Sequence, residues 1–192
     1  MLAFASDGEP RACGSVGAMT VTSFEGKTPV IGEGCWVHPS ADVIGDVNLG
    51  ARCWIGPGAR LRGDYGTIVL GDCCAVEDNC AVHARPGETC AIGSWVTLGH
   101  GCVVHNVALL GDYAVVGMGA VVSDWAEVGE WGVIAEGAVV PQRGVVPAAR
   151  IAAGVPARLL ERAVDDEYRA AWRGFKQIYV GLCERYRTGL GA

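Results

Sequence analysis

The chain has 192 residues, 51% of them hydrophobic and 7% aromatic, and carries a formal net charge of −6. A length of this order predicts one domain with a substantial core. The acidic balance argues against nucleic acid or an anionic membrane surface as a partner. No apolar run approaches the ~20 residues that a bilayer span needs, so membrane insertion is not expected either.

The N-terminal segment, residues 1–22, does not fit a secretory signal. Asp7, Glu9 and Pro10 occupy the place where such a signal would have its apolar core. We interpret residues 1–18 as a flexible extension and Met19 as a candidate natural start. The protein is therefore expected in the cytoplasm, where its nine cysteines would remain reduced.

Residues 23–158 follow a six-residue repeat. An aliphatic residue, here called position 1, recurs every six positions, with two interruptions. These residues are Ile31, Val37, Val43, Leu49, Ile55, Leu61, Leu70, Val76, Val82, Ile92, Leu98, Val104, Leu110, Val116, Val122, Val128, Ile134 and Val140. Position 5 carries small residues, which include Cys35, Cys53, Cys74, Cys80 and Cys102. We interpret these cysteines as small interior hydrophobic residues.

This period predicts an all-β fold, a parallel β-helix shaped as a triangular prism. Each hexapeptide forms one face, and three faces form one coil of about 18 residues. Positions 1 and 5 point inward, where a branched aliphatic side chain alternates with a small one. Strands in successive coils then stack at ~4.7–4.9 Å.

The repeat places two of the four histidines in one column. His83 and His105 both follow a position-1 valine, and the interruption between Val82 and Ile92 leaves them one coil apart. Arg62 follows Leu61 and joins the same column one coil earlier. Two stacked imidazoles at this spacing can share one metal ion at ~2 Å from each nitrogen.

His100 lies only five residues before His105 but belongs to another edge of the prism. It is at position 3 of the preceding face, one coil above Asp78. In a three-fold assembly of prisms, His100 of a neighbouring subunit would supply a third ligand. Three imidazoles with an open position are typical of catalytic zinc. His38 falls on another face, and we expect no function for it.

Residues 159–192 are expected to form a C-terminal α-helix that begins at Asp165 or Asp166. Its apolar residues recur at helical spacing, which predicts one face that packs along the prism of its own or a neighbouring chain. These residues are Tyr168, Trp172, Phe175, Tyr179, Leu182 and Tyr186.

Several motifs connect the chain with a known family. They are "RGD" at residues 62–64, "EDNCAVH" ending at His83, "GHGCVVH" at 99–105, "VGMGAVV" from Val116 and "GVPAR" from Gly154. From Phe24 to Arg187 the sequence resembles the γ-class carbonic anhydrases. Within them it is most similar to proteins of phenylacetate-degradation and carnitine operons, through "FEGKTPV", "VHPSADVIGDV" and "LRGDYG".

The resemblance implies a left-handed β-helix that assembles as a homotrimer with metal sites between subunits. His83 and His105 of one subunit and His100 of the next would bind zinc, or iron or cobalt as in some members. Arg62 and Asp64, and with them Asp78, would form ion pairs at the interface.

One departure from the family concerns the residues before His83. Many members have Gln-Asp-Asn there, whereas this chain has Glu77-Asp78-Asn79. Glu77, Asn79 and Arg62 are the candidate catalytic residues, and Glu77 could accept a proton from a metal-bound water. The family's acidic shuttle loop is missing, with only Glu88 in its place. Lys176 stands where close relatives have a tyrosine, with Tyr179 one turn further on.

The resemblance implies zinc-bound hydroxide, because zinc lowers the pKa of bound water from 15.7 to roughly 7. The main expectation is a zinc-dependent lyase that hydrates CO₂ to bicarbonate. The same site in an acyl-CoA thioesterase is an alternative, and a groove long enough for pantetheine would favour it. A hexapeptide acyltransferase and a non-catalytic trimeric scaffold are the remaining alternatives.

Overall fold

The computed structural model describes residues 20–189, so the extension 1–18 and the candidate start Met19 lie outside the described residues. The described part consists of twenty strands followed by one helix. The strands are β1 Thr20–Thr22, β2 Val30–Ile31, β3 Trp36–Val37, β4 Asp42–Leu49, β5 Trp54–Ile55, β6 Arg60–Leu70, β7 Ala75–Val76, β8 Ala81–His83, β9 Thr89–Ile92, β10 Thr97–Leu98, β11 Val103–His105, β12 Leu109–Leu110, β13 Val115–Val116, β14 Val121–Val122, β15 Glu127–Val128, β16 Val133–Ile134, β17 Val139–Val140, β18 Val145–Val146, β19 Arg150–Ala153 and β20 Arg158–Ala163; the helix is α1 Asp166–Gly189.

The strands form a parallel left-handed β-helix of about seven coils, which confirms the predicted fold. Its three faces are divided between two sheets. An eight-stranded sheet covers one face, and a twelve-stranded sheet covers the other two. The long strands β4 and β6 pair side by side and join those two faces. One coil advances 18 residues where no insertion intervenes, as in the pairing of Val115 with Val133.

The interior follows the six-residue repeat. Every position-1 residue from Val37 to Val140 is buried in one continuous core, together with the cysteines of position 5 apart from the partly buried Cys35. The repeat also continues beyond Val140, because Val146 and Ala152 occupy the next two interior positions. A position-1 side chain is thus packed from the coils above and below, which is the main stabilising contact of this fold.

The two interruptions of the repeat have different structures. The first lies within β6, an unbroken strand of 11 residues that turns from one face to the next. The second is the segment between His83 and Thr89, which leaves the prism as a loop. Strand register resumes after both, since Arg60 pairs with Ala81 and Leu110 pairs with Ile92. The second interruption therefore brings a loop next to the histidine column.

Helix α1 begins as expected, because the side chain of Asp165 accepts a hydrogen bond from the backbone N–H of Tyr168 at 2.8 Å. Five residues of the predicted stripe are half-buried on the packing face, namely Tyr168, Trp172, Tyr179, Leu182 and Tyr186, and only Phe175 departs from it. Phe175 is 56% exposed, whereas Lys176 and Cys183 are buried against the prism. The prediction was wrong at Phe175, because the helical spacing of aromatic residues does not determine which of them lies closest to the prism. The burial of Lys176 could not be predicted from the apolar pattern, because lysine is not an apolar residue.

Strand β20 precedes the helix and pairs antiparallel with β19 at the end of the eight-stranded sheet. It was not expected from the six-residue repeat. No helix among the described residues combines the length and the apolar composition that a membrane crossing requires.

Candidate functional site

The predicted column of Arg62, His83 and His105 is confirmed. Arg62 and His83 are register partners between β6 and β8, and His83 and His105 are partners between β8 and β11. The two imidazoles face each other, with 3.2 Å between Nδ1 of His83 and Nε2 of His105. The stacking of short strands therefore brings two ring nitrogens to one point on the prism surface.

A carboxylate binds the outer nitrogen of each imidazole. Nε2 of His83 lies 2.9 Å from Oδ1 of Asp64, and Nδ1 of His105 lies 2.6 Å from Oδ1 of Asp124. An ionised carboxylate only accepts, so each histidine donates from its outer nitrogen. The inner nitrogens, Nδ1 of His83 and Nε2 of His105, then both carry lone pairs. Two acceptors 3.2 Å apart are stable only with a proton or a cation between them.

Both carboxylates stay ionised. The hydrogen bond from Arg85 holds the pKa of Asp124 well below its usual range, against the opposing effect of burial and with smaller help from His105 and Gln142. For Asp64, burial alone would raise the pKa, but hydrogen bonds from His83 and Arg62 outweigh it and lower the pKa. Asp124 was missed from the sequence; the repeat places it one coil beyond Asn106, but only the structure shows which way it points.

The pair fits two ligands of one zinc ion. Nitrogens bound at ~2.0–2.1 Å in tetrahedral geometry lie about 3.3–3.4 Å apart, close to the separation of the two inner nitrogens. Carboxylates on the outer nitrogens are the usual support of histidine ligands. Residues 20–189 of a single chain hold no group of three His, Cys, Asp or Glu side chains that could bind a metal.

Arg62 and Asp64 pair with each other within the chain. Their expected pairing across subunits stays a prediction. Asn79, a predicted catalytic residue, lies at a coil corner with a φ of 59°. Its backbone N–H donates to the carbonyl of Pro57 on the coil below. Asn79 thus has a structural role at the turn, and its catalytic role also stays a prediction.

His100 lies on the other edge, beside Glu77 and Asp78. Nε2 of His100 is 3.1 Å from Oε2 of Glu77, which also accepts the backbone N–H of His100 at 3.1 Å. Nδ1 of His100 is 3.3 Å from the backbone nitrogen of Asp78. The Glu77 side chain is 8% exposed and that of His100 is 46% exposed. A buried carboxylate therefore supports an imidazole that is presented to the surface.

A cavity of about 500 Å³ extends from His100 and Glu77 between the eight-stranded sheet and α1. The sheet side is aliphatic, with Val115, Val116, Val133, Ile134 and Ile151, and the helix side is aromatic, with Tyr168, Trp172, Phe175 and Tyr179. The remaining lining includes Met118, Thr97 and Glu136 but neither lysine nor arginine. The cavity thus suits an uncharged apolar group and offers no cation to a phosphate.

Lys176 is buried beneath this cavity at 2% exposure. Its Nζ donates to Oγ1 of Thr97 at 2.9 Å and lies 5.4 Å from the ring centre of Trp172. Burial lowers the pKa of Lys176 to about 7, although Cys74 and Glu77 act in the opposite direction. Lys176 therefore docks α1 onto the prism, and its correspondence to the tyrosine of close relatives stays a prediction.

Glu88, the candidate proton shuttle, is held in the loop after His83. Its Oε2 accepts hydrogen bonds from Nδ2 of Asn106 at 2.6 Å and from Nε1 of Trp125 at 2.7 Å. A carboxylate fixed by two donors lacks the mobility that a shuttle needs. Its position indicates a structural role for this loop.

Comparisons with known proteins agree with this architecture. Residues 28–63 match the family model described as bacterial transferase hexapeptide (six repeats). The carnitine operon protein CaiE of Escherichia coli O157:H7 is 36% identical over 91 residues, 47% of this chain and 46% of the relative. The match thus spans about half the length of the curated relatives, and it supports the resemblance to carnitine-operon proteins.

Two solved structures match over nearly their whole length. A hexapeptide transferase family protein from Anaplasma phagocytophilum is 30% identical with a TM-score of 0.81, over 88% of this chain and 98% of that one. A Bacillus cereus protein described as a candidate acetyltransferase is 28% identical with a TM-score of 0.83, over the same shares. On the fold, the repeat and these matches together, the chain belongs to the hexapeptide transferase family.

Proposed function

We propose that this protein is an acyl-thioester hydrolase whose site is shared between two subunits of a homotrimer. The observation that carries the proposal is the apolar cavity that ends at His100 and Glu77. Hydration of CO₂ needs no such space, whereas an acyl chain needs an apolar wall along its length. Membership in a family named for transferases supports an acyl group as the substrate over CO₂.

The histidine pair supports water as the nucleophile. His83 and His105 of one subunit would hold a zinc ion through their inner nitrogens, with His100 of a neighbour as third ligand; iron or cobalt would suit the same donors. The ion would supply Lewis acidity that brings the pKa of water to about 7. To act as that third ligand, His100 would exchange one of its two ring contacts within the chain.

The surrounding residues would orient this site. Asp64 and Asp124 fix the inner nitrogens of His83 and His105 as lone-pair donors, and Arg62 holds Asp64 in place. Glu77 orients His100 and would be the carboxylate that takes a proton from water. The thioester carbonyl would lie where the cavity meets His100, with the acyl chain along α1. The CoA phosphates would remain outside the cavity, since no cation lines it.

Metal-free acyl transfer is a second candidate, and the comparisons favour it. The relatives are a transferase-family protein and a candidate acetyltransferase. His100 with the buried Glu77 is also a base–carboxylate pair of the kind that removes a proton from an acceptor hydroxyl or amine. This candidate leaves the pairing of His83 with His105 without a chemical role.

The deciding experiment combines metal analysis with three assays on the same preparation. The zinc-loaded and the chelator-treated protein are each tested for hydrolysis of acyl-CoA of increasing chain length, for acyl transfer to amines, and for CO₂ hydration by stopped flow. We expect zinc-dependent thioester hydrolysis that improves with an apolar acyl chain. Activity that survives metal removal and requires an acceptor would establish the transferase, and CO₂ hydration alone would establish the carbonic anhydrase.

A further inference from the structure

The loop after His83 holds the carboxylate that supports His105. Nε and Nη2 of Arg85 donate to Oδ1 and Oδ2 of Asp124 at 2.9 and 2.7 Å, a bidentate pair. Gln142 adds a third donor to Oδ2 at 3.0 Å. The Asp124 side chain is 7% exposed, so its charge depends on these donors. Apart from Gln142, the donors to the Asp124 carboxylate are Arg85 of the loop and His105.

The loop itself is fixed to the prism on both sides of Arg85. The backbone N–H of Arg85 donates to Oδ1 of Asn106 at 3.0 Å, and Glu88 accepts from Asn106 and Trp125. The Arg85 guanidinium also lies 5.2 Å from the ring centre of Trp125. The interruption of the repeat between Val82 and Ile92 thus delivers one arginine, in a defined orientation, to Asp124.

We propose that Arg85 is a positioning residue that sets the tautomer of His105. By holding both oxygens of Asp124, it aims Oδ1 at Nδ1 of His105 and keeps the proton on that nitrogen. Nε2 is then left as the lone-pair donor that faces His83. Arg85 touches neither substrate nor metal in this role. The use of Nε2 as a ligand rests on the proposed function, whereas the tautomer itself does not.

Arg143 provides a matched control. Its guanidinium lies on the same indole, 4.4 Å from the ring centre of Trp125. The hydrogen bonds to the Asp124 carboxylate come from Arg85, His105 and Gln142, and Arg143 reaches Asp124 only through its backbone N–H, which the Ala variant keeps. Arg143→Ala removes a cation of the same kind from the same tryptophan. A change seen in Arg85→Ala but not in Arg143→Ala therefore comes from the contact with Asp124.

The test measures two properties of the full chain and its variants. ¹⁵N NMR of the metal-free protein reports which nitrogen of neutral His105 carries the proton, and competition with a chromogenic chelator reports zinc affinity. We expect Arg85→Ala to mix the two His105 tautomers and to weaken zinc about 10- to 100-fold. Arg85→Lys, which cannot form the bidentate pair, should mix the tautomers to a smaller extent. Arg143→Ala should keep the single tautomer.

An unchanged single tautomer in a folded Arg85→Ala would overturn the proposal, as would an equal change in Arg143→Ala. If Arg85→Ala is unfolded by circular dichroism, Arg85→Lys decides by the same criteria. A protein that binds no zinc but loses its tautomer in Arg85→Ala would refute the metal site and leave the positioning role intact. The two inferences therefore fail separately.

Discussion

The two histidine centres of this chain differ in how complete they are. His83 and His105 are supported by carboxylates on their outer nitrogens and face each other, and their side chains are 17% and 35% exposed. The carboxylate partner of His100 is the buried Glu77, and His100 itself is 46% exposed. His83 and His105 are arranged to hold a proton or a cation between their two rings, whereas His100 presents its one ring to the surface. If copies of the chain meet edge to face, His100 of one copy would complete the pair of His83 and His105 in the next.

The largest expected effect comes from variants that remove one of the two histidine centres at a time. In the proposed trimer, His83→Ala and His100→Ala should each abolish zinc binding and hydrolysis. When the two variants are unfolded and refolded together, random mixing should restore about a quarter of the native sites, because a third of the sites in mixed trimers combine intact halves. Zinc content and thioester hydrolysis measure the recovery.

The control for this mixing uses two variants with the defect in the same half. His83→Ala refolded with His105→Ala leaves no subunit with an intact pair, so no recovery is expected. Recovery in this control, or none between His83→Ala and His100→Ala, would contradict a site shared between subunits. Sedimentation of each mixture shows that equal amounts of oligomer are compared.

Glu77→Gln addresses the support of His100 alone. Loss of the carboxylate should lower thioester hydrolysis about 10- to 100-fold, since partners of this kind orient a ligand or base. Below pH 7, where Lys176 is charged, it also removes the negative charge that faces Lys176, so the free energy of unfolding should fall there. The double variant Glu77→Gln with Lys176→Met separates the two effects. Stability should recover while activity remains low; recovery of both would make the role of Glu77 purely structural.

Lys176→Met addresses the packing of α1 on the cavity side. The folded-state pKa is about 7 and the unfolded value 10.5, so between these pH values the unfolded chain binds more protons. The free energy of unfolding of the native chain, relative to Lys176→Met, should therefore rise with pH by up to about 1.4 kcal/mol per unit. Below pH 7 the lysine is charged in both states, and the relative stability of the native chain is lowest. Urea titrations from pH 7 to 9 measure the difference; parallel curves would refute the buried neutral lysine.

Sequence reasoning succeeded where the six-residue register applied. The core residues, the interior cysteines and the column of Arg62, His83 and His105 all follow from counting, because each coil repeats the geometry of the one below. The register also separated His100 from His105. It could not show that Asp124 points toward His105, since a surface side chain on a coil can take several rotamers.

The cavity side was harder to predict for a different reason. α1 is distant in sequence from the strands it covers, and the apolar spacing of the helix does not show which residues of the prism its packed face contacts. Lys176 of α1, for example, contacts Thr97, although the two residues are far apart in the sequence. Aromatic spacing predicted the helix and most of its packing face but misplaced Phe175, and it did not indicate that Lys176 and Cys183 are buried on the same face. The contacts of the loop residues Arg85 and Glu88 also join residues distant in sequence, and they could not be predicted for the same reason.

Phe175→Ala is expected to have the smallest effect and sharpens the distinction between fold and substrate site. Phe175 lines the cavity yet is 56% exposed, so its truncation should change the free energy of unfolding by no more than about 0.5 kcal/mol. The lost apolar wall should raise KM for long acyl chains several-fold and leave short chains and zinc content unaffected. Phe24→Ala, at 39% exposure and far along the chain from the cavity residues, is the control for removal of a surface phenyl ring. An equal effect on all chain lengths would mean that the acyl group does not lie along α1.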